Sequence, residues 1–269
     1  MGNIGNTIDQ MNRKNHKALS VFLTAGYPKP DSFVDLACDI LDAGADMLEI
    51  GIPFSDPLAD GPVIQHASKQ ALNNGITMRH VFDYAHKINK KTEKPLILMG
   101  YANPILHYGI KNFIQDAQNS GVSGVIIPDI PLEEKNAFWE GMDPRLDQIL
   151  LVTPASPVDR IKRIDEESSG FVYCVSVTGT TGINSGFNKE TILNLGNTYS
   201  QIKKNKMLIG FGISNAQDIK HFYSICDGVI VGSAVIRQLT DNGQLSYGRA
   251  VSFVKTLSTA CREKLSGSE

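Results

Sequence analysis

The sequence lacks most of the patterns that mark secreted, membrane or metal-binding proteins. Its 269 residues include four cysteines, which form no CxxC pair and have no histidine at metal-ligand spacing. The N-terminus has no apolar signal core, and no run approaches the ~18 apolar residues of a membrane span. We therefore expect a soluble protein of the reducing cytoplasm, without a metal.

An excess of positive charge is also missing. The formal net charge is −2 and the sequence pI is near 6.3, which argues against nucleic acid or an anionic membrane as a partner. Lysines do cluster in 87–94 and 203–206, but each cluster precedes an apolar strand. We interpret both clusters as solvent-exposed helix ends.

Short runs rich in Val, Ile and Leu recur along the whole chain. Near-continuous apolar runs of this kind are typical of parallel strands that are covered on both faces. Segments of helical period separate them, with start and stop signals such as Asn215 and Gly44. The eight runs are 18–26, 46–53, 95–101, 124–130, 148–154, 171–177, 206–213 and 228–234.

Eight strand–helix units predict an α/β protein with the (β/α)8 TIM-barrel fold, as one domain over 1–269 in which 1–16 form an N-terminal helix or tail. Two additions are predicted: a helix at about 5–14 before strand 1, and a doubled helix between strands 2 and 3, at about 62–74 and 78–91. The alternative is an open doubly wound sheet. No GxGxxG dinucleotide motif follows the first strand, which disfavours that alternative.

An acid stands inside the second predicted strand. Because Leu48, Ile50 and Ile52 are bulky, they are expected to face the helices, so that Glu49 points into the barrel near its catalytic end. An internal ion pair is the structural alternative, but none of the eight runs has Arg or Lys in its interior. Partial desolvation would raise the pKa of Glu49 toward the ~6–7 that suits proton transfer.

Two further acids follow that strand. Asp60 precedes Gly61-Pro62 and a helical segment, so it is a candidate either for chemistry or for the N-cap of that helix. Asp56, between Ser55 and Pro57, suits a turn. The spacing alone leaves both possibilities for Asp60 open.

Glycines mark the ends of strands 7 and 8. TIM barrels often bind phosphate with these two loops, and Gly210, Gly212, Gly232 and Ser233 could offer N–H groups and a hydroxyl to an anion. Tight strand-to-helix turns would need glycine too. The glycine-rich segment 177–186 after strand 6 suits a mobile lid, or disorder without function.

The missing patterns narrow the chemistry. No lysine lies in a strand or at its immediate end, which argues against an imine-forming aldolase, and no GxSxG nucleophile elbow occurs. The remaining prediction is an enzyme that uses carboxylates as acid–base groups on a phosphate-bearing substrate. The residues themselves leave open an isomerase or a carbon–carbon lyase.

Six segments in order resemble the tryptophan synthase α-chain family, over about residues 17 to 262. They are "LEIGIPFSDPLADGPVIQHASKQAL" (48–72), "YANPI" (101–105), "PDIP" (128–131), "YCVSVTGTTG" (173–182), "GFGIS" (210–214) and "VGSA" (231–234). The resemblance implies a TIM barrel and an aldol-type lyase that cleaves indole-3-glycerol phosphate to indole and glyceraldehyde 3-phosphate without a cofactor.

The same resemblance implies roles for individual residues. Glu49 would be the main acid–base group, and Asp60 would face the indole N–H. Thr181 would belong to the lid. The implied phosphate cradle is Gly182, Gly212, Gly232 and Ser233, and the implied pocket wall is Phe22, Tyr173 and Phe211.

The resemblance also implies a partner, a β chain that carries pyridoxal phosphate and receives indole in an α2β2 heterotetramer. Segments 53–60 and 101–110 would face it. A non-catalytic phosphate-binding barrel that acts as an activating subunit is the alternative. Two segments depart from the expected pattern: 132–148 contains Pro144 and predicts a short or broken helix, and 184–208 looks compressed.

Overall fold

The computed structural model describes residues 3–139, 145–175, 189–210, 212–241 and 244–263. Eight parallel strands form a closed barrel in which each strand pairs with the next and β8 pairs with β1. The strands are β1 (Ala18–Thr24), β2 (Met47–Gly51), β3 (Leu96–Met99), β4 (Gly124–Ile126), β5 (Asp147–Val152), β6 (Val172–Val175), β7 (Met207–Gly210) and β8 (Gly228–Val231). The TIM barrel is confirmed, and the open-sheet alternative is excluded.

Helices follow the strands and form the outer layer. They are α1 (Ile4–Arg13), α2 (Phe33–Asp42), α3 (Pro62–Asn73), α4 (Met78–Asn89), α5 (Ala102–Tyr108), α6 (Ile110–Asn119), α7 (Lys135–Phe138), α8 (Val158–Glu167), α9 (Lys189–Gln201), α10 (Ala216–Phe222), α11 (Ser233–Gln238) and α12 (Tyr247–Arg262). A two-stranded hairpin of β9 (Thr240–Asp241) and β10 (Gln244–Leu245) precedes α12.

Both predicted additions to the plain repeat are present. The helix α1 lies before β1, and its buried Ile4 and Ile8 belong to the same apolar cluster as residues inside the barrel. Because Ile4 lies next to Gly124, the first residue of β4, this helix closes the end of the barrel where the strands begin. The pair α3 and α4 stands between β2 and β3, as predicted.

Two apolar clusters divide the side chains of β2 as the alternation predicts. Leu48 and Ile50 belong to the large cluster between barrel and helices, whereas Met47 belongs to the cluster inside the barrel. Glu49 therefore points inward, and its residue is fully buried. In the parallel register, Glu49 stands opposite Phe22 of β1 and Ile97 of β3.

Before β5 begins at Asp147, the described part of the segment 132–148 contains only short helical pieces. A 3-10 turn over Leu132–Glu134 leads into the four-residue α7, and residues 140–144, with Pro144, lie outside the described residues. The prediction of a short or broken helix agrees with these pieces. The later segment 184–208 holds the thirteen-residue α9. In the described part of the chain, no helix is both long and apolar enough to cross a membrane.

Candidate active site

A cavity opens inside the barrel at the end where the strands finish. The volume of the cavity is about 100 Å³. The cavity brings together seven of the predicted site residues. Its described lining is Phe22, Glu49, Asp60, Gly61, Ile64, Met99, Tyr173, Gly212, Ile213, Ile230, Gly232 and Ser233. The other three predicted residues, Thr181, Gly182 and Phe211, lie outside the described residues.

Glu49 is held by one hydrogen bond. The Ser20 hydroxyl donates to Glu49 Oε1 at 2.8 Å, while Glu49 Oε2 has no hydrogen-bond partner among the residues that the structure describes. Burial disfavours the carboxylate and raises the pKa of Glu49 to about 8, although the Ser20 hydrogen bond opposes this rise. The side chain is therefore largely protonated at neutral pH.

The ion-pair alternative for Glu49 is not what the structure contains. Asp46, which directly precedes β2, does have a cation, since Arg262 lies 2.8 Å from its Oδ1. That pair lies at the opposite end of the barrel. The described residues around the cavity include neither Lys nor Arg, so no cation there neutralises Glu49.

Asp60 does not cap α3. The N-cap residue is Gly61, which has no side chain, and Pro62 occupies the first turn. The capping alternative for Asp60 is therefore wrong, because its carboxylate instead accepts a hydrogen bond from the Tyr101 hydroxyl and lines the cavity. Burial raises the pKa of Asp60 to about 6, against the effect of the Tyr101 hydrogen bond.

Tyr101 joins the loop that carries Asp60 to the end of β3. Its hydroxyl accepts the Ala59 N–H at 3.0 Å and also donates to the Asp60 carboxylate. Its ring packs against Phe54, with ring centroids 5.4 Å apart. The sequence motif "YANPI" contained Tyr101, but its hydrogen bond to Asp60 depends on the folded path of residues 52–61 and was not predicted.

The loops after β7 and β8 both reach the cavity. Gly212 has φ +81°, a left-handed conformation that glycine adopts without strain, and Gly232 stands at the N-cap of α11 without a side-chain cap. Ser233 is the first residue of that helix. A Cβ at Gly210 would lie 2.1 Å from the Tyr173 hydroxyl, so glycine there makes room for the Tyr173 side chain.

Apolar side chains complete the wall. Four of them, Ile64, Met99, Ile213 and Ile230, were not predicted as site residues. In the sequence they look like any other core residues of strands and helices, and only the closure of the barrel distinguishes them. With Phe22 and Tyr173 they offer an apolar surface for a flat, largely apolar group, next to two carboxyl groups.

Comparison with known proteins identifies the family. The model of the family described as tryptophan synthase alpha chain matches residues 8–263. This chain belongs to the tryptophan synthase α-chain family. The predicted membership and the enzyme class that follows from it are thereby confirmed.

Relatives cover the chain almost completely. The tryptophan synthase α chain of Christiangramia forsetii is 40% identical over 254 residues, which cover 94% of this chain and 99% of the relative. That of Petrotoga mobilis is 43% identical over 230 residues, covering 85% and 89%. The crystal structure of the α chain from Legionella pneumophila superposes with a TM-score of 0.89 at 31% identity, over 99% of this chain and all of that one.

Proposed function

We propose that this α chain cleaves indole-3-glycerol phosphate to indole and glyceraldehyde 3-phosphate, with Glu49 and Asp60 as its two catalytic carboxyl groups. The observation that supports the proposal is the pairing of these acids in one cavity: both have raised pKa values, and no cation among the described lining residues neutralises either. Such perturbed pairs are typical of acid–base sites.

The first step uses Glu49 as an acid. With a pKa of about 8 it carries its proton at neutral pH and donates it to indole C3. Positive charge then develops on the ring and is shared with the indole nitrogen. Asp60, with a pKa of about 6, is mostly ionised at pH 7 and stabilises this charge from the N–H side.

The second step returns the proton. The Glu49 carboxylate accepts the proton of the 3′-hydroxyl, the bond between C3 and C3′ breaks, and its electron pair restores the aromatic indole. The hydroxyl carbon becomes the aldehyde of glyceraldehyde 3-phosphate. One proton moves from oxygen to carbon, Glu49 ends protonated as it began, and no redox change occurs.

The other predicted residues bind the rest of the substrate. In this proposal Gly212, Gly232 and Ser233 hold the phosphate through N–H groups and a hydroxyl, together with Gly182, and Thr181 belongs to a lid. Three aromatic residues, Phe22, Tyr173 and Phe211, line the indole and glycerol pocket. The proposal includes one TIM-barrel domain over 1–269.

The proposal includes a partner. A β chain that carries pyridoxal phosphate would receive indole, in an α2β2 heterotetramer of the cytoplasm, and this chain itself would hold no cofactor. Segments 53–60 and 101–110 would face the β chain. In the first of them, the Leu58 residue is 93% exposed, which is unusual for so large an apolar side chain and suits a docking surface.

The test is indole release by the purified chain, with and without β chain. Glu49→Gln should lower kcat by about 10²–10⁴-fold, the usual contribution of a general acid–base group. Glu93→Gln is the matched control, because Glu93 is exposed and precedes β3 at the opposite end of the barrel. Phosphate-ligand binding without indole release by the unaltered chain would favour the alternative, a non-catalytic activating subunit.

A further inference from the structure

Ser20 is a polar residue in the middle of a largely apolar strand. The strand β1 reads ALSVFLT and is buried throughout, and Ser20 has no exposed surface. Its side chain points into the barrel, as those of Ala18 and Phe22 do on either side of it. A serine hydroxyl at such a position loses its hydration and needs a partner inside the protein.

That partner is the catalytic acid. The Ser20 hydroxyl donates to Glu49 Oε1 at 2.8 Å, which ties one carboxyl oxygen to β1 and leaves Oε2 as the oxygen without a described partner. Glu49 lines the cavity, whereas Ser20 does not. Ser20 therefore touches the acid from the side of the barrel interior, away from the substrate.

The geometry points to Ser20 as a positioning residue of the reaction, which fixes the Glu49 carboxyl group so that Oε2 faces the substrate and which stabilises its ionised form. This inference rests on the proposed function. A hydroxyl suits both steps, since it can donate to the carboxylate and also accept from the carboxylic acid.

Few other described side chains affect the protonation of Glu49. Around the cavity, the described titratable side chains besides Glu49 are Asp60 and Tyr173. The charges of Glu49 and Asp60 both raise the pKa of the Tyr173 hydroxyl. The Ser20 hydroxyl is thus the hydrogen-bond donor, among the described residues, that favours the Glu49 carboxylate.

Loss of the hydroxyl should change chemistry more than binding. In Ser20→Ala we expect kcat to fall roughly tenfold, the typical effect of one hydrogen bond to a charged group. KM should stay the same, since Ser20 does not line the cavity. The alkaline limb of the pH–rate profile should move to higher pH, because removing a donor to the carboxylate raises its pKa.

The decisive experiment titrates Glu49 in the full chain without substrate. The carboxyl band of Glu49 is assigned in infrared difference spectra against Glu49→Gln and followed from pH 5 to 10 in the unaltered chain, Ser20→Ala and Ser20→Thr. Ser123→Ala is the matched control, because Ser123 is a buried serine whose hydroxyl has no described partner. Thermal unfolding checks that each variant folds.

The inference requires a raised pKa in Ser20→Ala, near-normal values in Ser20→Thr and Ser123→Ala, and a matching shift of the alkaline limb. An unchanged Glu49 titration in folded Ser20→Ala would overturn it. A slower reaction with an unmoved pH limb would also overturn it, since general loss of packing would act in that way. If the unaltered chain releases no indole, the proposed function fails, while the infrared titration still decides whether Ser20 controls Glu49.

Discussion

The buried Glu49 carboxyl group lowers the stability of the fold at neutral pH. Its pKa is about 8 in the folded chain, against an ordinary value of 4.5, so the folded state keeps a proton that the unfolded state has released. The stability from this proton is full below pH 4.5 and is lost progressively as pH rises to about 8.

Replacing Glu49 by Gln should therefore stabilise the chain relative to the unaltered one as pH increases. We expect the difference in unfolding free energy to grow by up to about 1.4 kcal/mol per pH unit between pH 5 and 8 and to level off above pH 8. Urea denaturation of both chains across this range measures it. A difference that stays constant with pH would contradict the raised pKa of Glu49.

The two acids together predict a bell-shaped profile of kcat/KM. Activity should fall below about pH 6, as Asp60 gains a proton, and above about pH 8, as Glu49 loses its proton. Initial rates of indole formation at limiting substrate give both limbs as macroscopic values of the pair. In Asp60→Asn the acidic limb should disappear along with most of the activity.

The individual site residues were not equally predictable from the sequence. Glu49 could be predicted because strict alternation along one strand decides which way a side chain points. Asp60 could not be assigned from spacing, since the same position suits an N-cap, and only the folded structure shows Gly61 there. Ser20 gave no signal, because one serine in an apolar strand reveals neither its neighbour nor its partner.

At the scale of elements, the loop between β2 and α3 depends on β3 and α5 for its shape. Tyr101, two residues after β3, accepts a hydrogen bond from the Ala59 N–H and donates one to the Asp60 carboxylate. Tyr101→Phe should move the acidic limb of the pH profile to higher pH, because it removes a hydrogen bond that favours the Asp60 carboxylate. We expect kcat to fall roughly tenfold, as for other hydrogen bonds to charged groups.

The matched control is Tyr108→Phe in the same region. Tyr108 is the last residue of α5 and donates its hydroxyl to Asp116 of α6, so this variant also loses a tyrosine–carboxylate hydrogen bond. Both variants are assayed without the β chain, because both residues lie in a segment proposed to face it. Equal effects on the acidic limb would show that Tyr101 has no special link to Asp60.

Elements themselves were more predictable than the loops between them. The pair α3 and α4 was predicted within about two residues because helical period and a first-turn proline are local signals. The strands end earlier than the apolar runs, since the run 228–234 passes from β8 into α11 at Ser233. The path of residues 52–61 has no periodic signal, because tertiary hydrogen bonds determine it.

At the scale of the whole molecule, the barrel separates stability from chemistry. The end where the strands begin is closed by α1 and carries the Asp46–Arg262 pair, which ties α12 to β2. The other end keeps its acids without cations among the described lining residues and exposes the loop before α3. Repetition of strand–helix units predicted this architecture, but the meeting of β8 with β1 determines which side chains share the cavity.

The exposed loop gives a prediction about assembly. Leu58 is 93% exposed in segment 53–60, close in sequence to Asp60, so a β chain that covers it would bury apolar surface and steady the loop that carries the acid. Leu58→Ser should weaken the β-chain association about tenfold or more, given ~1.5–3 kcal/mol for a fully buried leucine, and reduce activation. Calorimetric titration measures the affinity, and the ratio of indole release with and without β chain measures activation.

Leu193→Ser is the control, because Leu193 is a 64% exposed leucine on the outer helix α9. Equal affinity of both variants would remove segment 53–60 from the proposed interface, whereas a loss confined to Leu58→Ser would link partner binding directly to the loop of Asp60.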